Sequence, residues 1–123
     1  MLSLILGLWL WTGLVYQGHE LPPPNPALKI WFTFEADGTN TLHYYREGEP
    51  GFCERRALYS FDGAYLTQQI IWVHPQNADF CGQDVDMQLG RESRTRIEVE
   101  SNKLKLHLHL GDEDLIHVWT RQL

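Results

Sequence analysis

The stretch SRTRIEVESNKLKLHLHL (residues 93–110) decides the fold class, because apolar and polar residues alternate on both sides of a turn signal. A two-residue turn at Ser101 and Asn102 fixes which residues of the two halves face each other. The resulting pairs are Val99 with Leu104 and Ile97 with Leu106 on one face, and Glu100 with Lys103 and Glu98 with Lys105 on the other. Apolar side chains meet apolar ones and acids meet bases, so the stretch predicts a β-hairpin with one face in the core and one in solvent.

Period-two alternation recurs along the rest of the chain, and helical periodicity is hard to find. Turn signals at residues 37–38, 62–63, 101–102 and 111–112 separate the alternating segments. Eight strands are predicted, over residues 4–17, 29–36, 40–47, 52–61, 64–73, 93–100, 103–110 and 114–121. We predict one all-β domain over residues 1–123, an eight-stranded antiparallel up-and-down β-barrel, because closure removes exposed sheet edges.

The lengths of the loops predict that the barrel is a cup. Alternate connections of an up-and-down barrel lie at opposite ends. The connections near residues 37, 62 and 101 are tight and share one end, whereas residues 18–28, 48–51, 74–92 and 111–113 share the other. An eight-stranded barrel is just wide enough to be filled by side chains or to hold one small ligand, so a binding site is expected beneath the long loops.

The opening segment MLSLILGLWLWTG (residues 1–13) is uncharged and is either a secretion signal or the first strand. It has no Lys or Arg before the apolar run and no small-x-small cleavage site after it. It is also shorter than the roughly 20 apolar residues that span a bilayer. We therefore interpret it as the first strand and expect any export signal to lie upstream of Met1.

The charge balance disfavours two classes of partner. Sixteen acidic and ten basic residues give a formal net charge of -6, which argues against nucleic acid and anionic membrane as partners. Five Trp, five Tyr and five Phe are scattered along the chain, as in a β protein with an aromatic interior. We expect a monomer that is not stably inserted in a membrane and whose partner is a small apolar molecule.

The sequence Gly7-Leu8-Trp9, at the start of the first strand, resembles the Gly-x-Trp signature of the lipocalin family. In that family the Trp packs at the closed base of the barrel, and an Arg near the end of the last strand lies across it. Arg121 matches that position, and antiparallel closure brings the end of the eighth strand to the start of the first. The resemblance implies a lipocalin-like (calycin) barrel, similar to compact bacterial domains, with Gly7, Trp9 and Arg121 at its base.

The two cysteines, Cys53 and Cys81, are predicted to form a disulfide. Cys53 begins the fourth predicted strand at the long-loop end, and Cys81 lies in the long loop at that same end. The bridge would close a loop of about 29 residues and contribute ~3–4 kcal/mol. Because disulfides persist in oxidising compartments, we expect a periplasmic or secreted protein.

Three histidines, His107, His109 and His117, are the first candidates for a metal site. The hairpin register places His107 opposite Arg96 and His109 opposite Arg94, on the face that carries the Glu and Lys pairs. Neighbouring cations oppose the binding of another cation. We therefore assign all three histidines to the outer surface and expect no metal.

The long loop also contains oxygen ligands, Asn77, Asp79, Asp84 and Asp86. Their spacing does not match an EF-hand and no bidentate Glu ends the loop, while Asx residues are ordinary loop formers. No phosphate cradle, His-Glu-x-x-His or Gly-x-Ser-x-Gly motif is present in the sequence. We expect neither enzyme activity nor a cofactor.

These features together predict an extracytoplasmic binding protein that holds one small hydrophobic or amphipathic ligand inside the barrel. The predicted ligand-binding residues are Phe32, Phe34, Tyr44, Tyr59, Phe61, Leu66, Ile70, Ile97, Leu106 and Leu108. Tyr45 is an alternative to Tyr44, because the hairpin at residues 37–38 closes in two registers. The ligand would pass between residues 18–28 and 74–92, where the prolines of LPPPNP (residues 21–26) stiffen a lid. The alternative is a protein-interaction module with a filled core that uses the mouth loops.

Overall fold

Nine β-strands make up most of the chain in the computed structural model, which describes residues 2–122. The strands are β1 (Gly7–Tyr16), β2 (His19–Leu21), β3 (Leu28–Phe34), β4 (Thr39–Arg46), β5 (Cys53–Phe61), β6 (Tyr65–Val73), β7 (Glu92–Glu100), β8 (Lys103–Leu110) and β9 (Glu113–Gln122). β1 pairs antiparallel with the short β2 and also with β3. From β3 to β9 each strand pairs antiparallel with the next one, and β9 pairs with β1 to close the barrel. The predicted eight-stranded antiparallel up-and-down barrel is confirmed.

The hairpin of β7 and β8 has the predicted register. Val99 faces Leu104 and Ile97 faces Leu106, while Glu100 faces Lys103 on the other side of the sheet. Ile97 and Leu104 are almost completely buried. The alternation of apolar and charged residues therefore sets both the register and the side that faces the core.

The start of the chain differs from the prediction of a strand over residues 4–17. Leu2–Ile5 forms one helical turn, α1, and β1 begins at Gly7 with φ at +120°, a backbone conformation that favours glycine. Ile5 is completely buried. The chain turns across the end of the barrel instead of continuing along its wall, so α1 closes the base.

The segment after β1 also differs from the predicted loop over residues 18–28. Gln17 and Gly18, with φ at 51° and 78°, make a tight turn that returns the chain as β2. Leu21 pairs with Leu14 and His19 with Tyr16. β2 therefore lengthens the wall beside β1, although all three of its residues are exposed.

The base of the barrel contains the predicted Trp and Arg pair. Trp9 is completely buried and donates its indole N–H to the Ile5 carbonyl at 2.9 Å. The Arg121 guanidinium lies 4.2 Å from the centre of the Trp9 ring and donates hydrogen bonds to the Leu6 and Leu4 carbonyls. A side chain at Gly7 would place its Cβ 3.1 Å from Arg121 Nη1. The Gly-x-Trp pattern thus provides space for the guanidinium as well as the ring that it covers.

A disulfide ties the longest loop to the wall at the other end. Cys53, at the start of β5, is bonded to Cys81, with 5.7 Å between their Cα atoms, and the predicted pairing is confirmed. Residues 74–91, the mouth loop, contain two short 3₁₀ helices, Asp79–Gln83 and Val85–Met87. No helix in residues 2–122 is long and apolar enough to cross a membrane.

Candidate ligand-binding cavity

The interior of the barrel is divided into a filled base and an open mouth. The base is occupied by buried side chains, among them Phe34, Tyr59, Phe61, Leu66, Ile97 and Leu104. Above them lies a cavity of about 600 Å³ that opens at the end where the long loops meet. The predicted cup is therefore present, but only in the half of the barrel beneath the mouth loop.

The cavity wall is largely apolar. Strands β3, β4, β8 and β9 supply its apolar lining residues, while β5, β6 and β7 supply polar ones. The apolar residues include Ile30, Phe32, Leu42, Leu106, Leu108 and Trp119. The Phe32 ring contacts the Trp119 ring edge-on, with 5.4 Å between the ring centres. Apolar walls of this kind exclude water from a bound hydrophobic group.

The ten predicted ligand-binding residues fall into two groups. Phe32, Tyr44, Leu106 and Leu108 line the cavity. The others, Phe34, Tyr59, Phe61, Leu66, Ile70 and Ile97, are buried but are not part of its lining. Alternation along a strand identifies the side that faces the interior, but not how high on that side the packed core ends.

The register of β3 and β4 decides between the two tyrosines. Ile30 faces Tyr44 and Phe32 faces Leu42, so Tyr44 points to the interior, although Tyr45 also borders the cavity. Its hydroxyl donates a hydrogen bond to Asp84 Oδ2 at 2.5 Å. Burial and this carboxylate raise the pKa of Tyr44, which keeps the phenol protonated. Tyr44 thus connects the barrel wall to the mouth loop.

Arg55 is a buried charge that the sequence reasoning missed. Its side chain is only 3% exposed and lines the cavity from β5. Nη1 donates to Asn40 Oδ1 at 2.5 Å, Nη2 donates to Gln68 Oε1 at 3.1 Å, and the guanidinium lies 5.3 Å from the centre of the Phe32 ring. The signal was present in the sequence, because Arg55 shares the inward alternation of Ala57 in CERRALYSF.

The surroundings of Arg55 are polar but contain no direct counter-ion. Among the ion pairs in residues 2–122, none involves Arg55. Burial lowers its pKa to about 10, and the more distant carboxylates of Asp86 and Asp84 oppose that shift. Arg55 stays positive at neutral pH, and its buried Nε has no hydrogen-bond partner in the structure.

His117 corrects the assignment of three histidines to the outer surface. It faces Leu106 in the ladder of β8 and β9, so its ring lines the cavity and stacks on Trp11, with 5.5 Å between the ring centres. His107 and His109 lie on the opposite side and contact Glu98 and Asp114, respectively. Burial lowers the pKa of His117.

The separation of His117 from the other two histidines bears on the metal hypothesis. His107 and His109 face outwards and His117 faces the cavity, so the three imidazoles cannot share one ion. In residues 2–122, no group of three His, Cys, Asp or Glu side chains is placed to hold a metal.

The rim of the cavity carries charges of both signs. Arg46 ends β4, Glu49 lies in the connection between β4 and β5, and Asp84, Asp86 and Arg91 come from the mouth loop. Asp86 Oδ1 is 4.0 Å from Arg91 Nε. Burial and the neighbouring Asp84 raise the pKa of the Asp86 carboxyl.

The proline-rich segment is not the lid that the sequence predicted. From residues 18–28, only Leu28 belongs to the cavity lining. Pro50 and Gly51, from the connection between β4 and β5, border the cavity instead. This connection packs against the mouth loop, since the Ala78 N–H donates to the Phe52 carbonyl at 3.1 Å. The proline-rich segment contributes little to the lining because β2 holds the residues before it against β1.

Comparison with solved structures supports the fold over almost the whole chain. A lipocalin-like protein from Bacteroides uniformis covers 97% of this chain and 99% of its own, with a TM-score of 0.63 and 15% identity. The chain has the lipocalin-like fold. A mutant of the fluorescent protein UnaG also matches this lipocalin-like barrel, covering 100% of this chain and 99% of its own with a TM-score of 0.51 and 12% identity. No protein-family model matches the lipocalin-like chain, and no curated protein resembles it in sequence.

Proposed function

We propose that this lipocalin-like barrel binds one small amphipathic molecule in its cavity and holds it without changing it chemically. The observation that carries the proposal is the cavity of about 600 Å³ beneath the mouth. Small-molecule sites commonly occupy roughly 300–1,000 Å³ and combine apolar walls with a few polar groups. This cavity has that composition, with Phe32 and Leu106 in its wall and Arg55 and Tyr44 as polar groups.

The proposed site of action is an oxidising compartment outside the cytoplasm. The Cys53–Cys81 disulfide supports this part of the proposal, because such bonds are kept reduced in most cytosols. Thiol titration of denatured, unreduced protein from its native source tests it. We expect no free thiol from these two residues, and two free thiols would contradict the proposed location.

The mouth loop favours a second candidate function, the binding of a protein partner. Val85 and Leu89 are 55% and 66% exposed, and Phe80 at the rim is 51% exposed. Exposed apolar side chains concentrated on one loop are typical of interaction surfaces. In this alternative the loop surface binds the partner and the cavity is incidental.

Titration with the neutral dye N-phenylnaphthylamine separates the two candidates. Dye fluorescence should rise and saturate at one molecule per monomer, with a dissociation constant below ~100 μM, or about −5.5 kcal/mol. Leu106→Trp should abolish the signal, because the larger ring fills the cavity. Leu58→Trp on the exposed side of β5 is the matched control and should leave it unchanged.

The opposite results would contradict the proposal. Dye binding that survives Leu106→Trp but is lost on changing Val85 and Leu89 to Ser would place binding on the loop surface. Native mass spectrometry of the same samples should show a monomer with one bound molecule.

A further inference from the structure

The imidazole of His117 is a polar group without a partner in the cavity wall. In the ladder it faces Leu14 of β1 and Leu106 of β8, and its ring stacks on Trp11 with 5.5 Å between the ring centres. Within residues 2–122, the hydrogen bonds and ion pairs that histidine rings make belong to His43, His74, His107 and His109. In this part of the chain, His117 therefore has no hydrogen-bond partner.

Both ring nitrogens of His117 are open to the cavity. The unpaired nitrogens of Trp11, Arg55 and Trp119 are buried, whereas those of His117 remain accessible to solvent. Because the ring lines the cavity, the accessible atoms face the space that a ligand fills. A neutral imidazole offers one N–H donor and one acceptor nitrogen to a group in that space.

The polar groups from β4 and β5 differ from His117, because contacts within the protein already engage them. The Tyr44 hydroxyl donates to Asp84. The carboxylates of Asp86 and Asp84 act on Arg55 as counter-charges. Among the lining residues of β8 and β9, His117 is the one that can gain a hydrogen bond from a ligand without giving one up.

The surroundings of His117 favour its neutral form. Burial lowers the pKa of the imidazole, and no charged group contributes to that shift. The titratable residue of β1 on the same side is Tyr16, which faces Leu115, and the inward residues of β8 are leucines. A charged ligand group beside His117 would lose water without gaining a counter-ion, whereas a hydroxyl can donate or accept and suits either imidazole tautomer.

We infer that His117 selects ligands that carry a neutral hydroxyl group, an alcohol or a phenol, through one hydrogen bond to its imidazole. This inference rests on the proposed function, because it specifies one contact of the molecule held in the same cavity. The apolar remainder of such a ligand packs against Phe32 and Leu106, which line the same space. The imidazole then gains the partner that the protein does not supply.

A matched pair of molecules tests the contact. 2-Naphthol and 2-methylnaphthalene differ in a hydroxyl that replaces a methyl group, and both compete with N-phenylnaphthylamine for the cavity. The readout is the ratio of their dissociation constants, with the affinity of the dye measured for each variant. His117→Phe should shift this ratio about fivefold against 2-naphthol, because one neutral hydrogen bond is lost. His109→Gln, at an exposed position of β8, is the control and should leave the ratio unchanged.

His117→Gln separates hydrogen bonding from ring packing. Glutamine keeps a donor and an acceptor but has no aromatic ring, so this variant should retain most of the preference for 2-naphthol. An unchanged ratio in His117→Phe would overturn the inference, and so would equal losses in His117→Phe and His117→Gln. If His117→Phe does not fold, His117→Leu provides the same comparison.

Acid provides a second readout of the same contact. A bound molecule buries the imidazole further, which disfavours its protonated form. Affinity for the neutral 2-methylnaphthalene should therefore be full above the pKa of the free protein and fall as the pH drops through it, between about 6.5 and 5. His117→Gln cannot titrate in this range and should abolish the loss, whereas Asp86→Asn, which removes another titratable group of the cavity, should not. An equal loss in His117→Gln and the unchanged protein would contradict the role of His117.

The dye keeps this test separate from the test of the proposed function. Failure of the unchanged protein to bind the dye would contradict the proposed function. Dye binding together with a ratio that His117→Phe leaves unchanged would contradict the inference alone.

Discussion

At the base of the barrel, aromatic rings fill the space between the strands, whereas at the mouth the same strands enclose a cavity. Phe34 lies edge-on against Tyr59 with 5.0 Å between ring centres. Trp9 and Arg121 donate hydrogen bonds to the backbone carbonyls of residues 4–6. At the mouth, by contrast, Arg55 keeps a buried donor without an acceptor. The comparison shows that packed, hydrogen-bonded side chains fill the base, whereas the mouth encloses a cavity that a buried charge borders.

Strand β5 shows how one segment serves both ends. Its inward residues are Cys53 and Arg55 near the mouth, and Ala57, Tyr59 and Phe61 towards the base. The first two anchor the mouth loop and place a charge in the cavity, whereas the last three are buried in packed core. Substitutions at the two ends of this strand should therefore affect different properties.

The largest expected effect is at the base, where Trp9→Ala should lower the free energy of unfolding by ~3–5 kcal/mol. The completely buried indole would leave a cavity beneath Arg121, and its hydrogen bond to the Ile5 carbonyl would be lost. Denaturant unfolding measures the loss, and the dye affinity of the folded fraction should not change. The partly exposed Trp72 is the control, and its change to Ala should cost much less. A loss below about 1 kcal/mol at Trp9 would contradict the assignment of the base.

The next effect is at the mouth, where changing both Cys53 and Cys81 to Ala removes the covalent tie of the mouth loop. Unfolding free energy should fall by ~3–4 kcal/mol, because the open loop regains chain entropy in the unfolded state. Unlike Trp9→Ala, this double change should also weaken dye binding several-fold, since Asp84 and Asp86 lose their fixed position. Unchanged dye affinity in the folded protein would show that the loop does not shape the cavity.

Much of this architecture follows from local patterns in the sequence. Alternation and cross-strand charge pairs determine the register of β7 and β8, and loop lengths place the mouth. The single turn α1 could not be foreseen, because Leu4, Ile5 and Leu6 are equally apolar in a strand or a helical turn. The sequence could not decide between Tyr44 and Tyr45, because the turn at residues 37–38 allows two registers of β3 and β4. Only the observed register shows that Tyr44 points to the interior.

Two of the errors at the cavity, at His117 and Arg55, have different origins. His117 was misassigned although the turn at Gly111 and Asp112, which pairs Leu110 with Glu113, already implies that His117 faces Leu106. Arg55 was missed because inward charges are rare in barrels, and the alternation that placed Phe61 inside was not extended to it. The height at which the core ends depends on the combined packing of several strands, so no local pattern indicates it.

The smallest expected effect concerns pH and the buried imidazole of His117. Its pKa is lowered in the folded protein, so below about 6.5 the unfolded chain binds a proton that the folded protein resists. The neutral imidazole therefore contributes its full stability above the pKa of the unfolded chain, and this contribution is lost as the pH falls through the pKa of the folded protein. His117→Phe keeps a ring against Trp11 and should make unfolding less acid-sensitive between pH 7 and about 5. Exposed His109→Gln is the control, and equal acid sensitivity of His117→Phe and the unchanged protein would contradict the buried position.

The most direct test of the division between base and mouth is two-dimensional NMR of the labelled protein, free and saturated with N-phenylnaphthylamine. We predict that the resonances of Leu42, Leu106 and the Trp119 indole N–H shift, because these three residues line the cavity. The Trp9 indole N–H and the Leu66 methyl groups lie in the filled base and should not move. Shifts confined to the exposed Val85 and Leu89, or spread equally over Trp9 and Trp119, would contradict a ligand-binding cavity above a packed base.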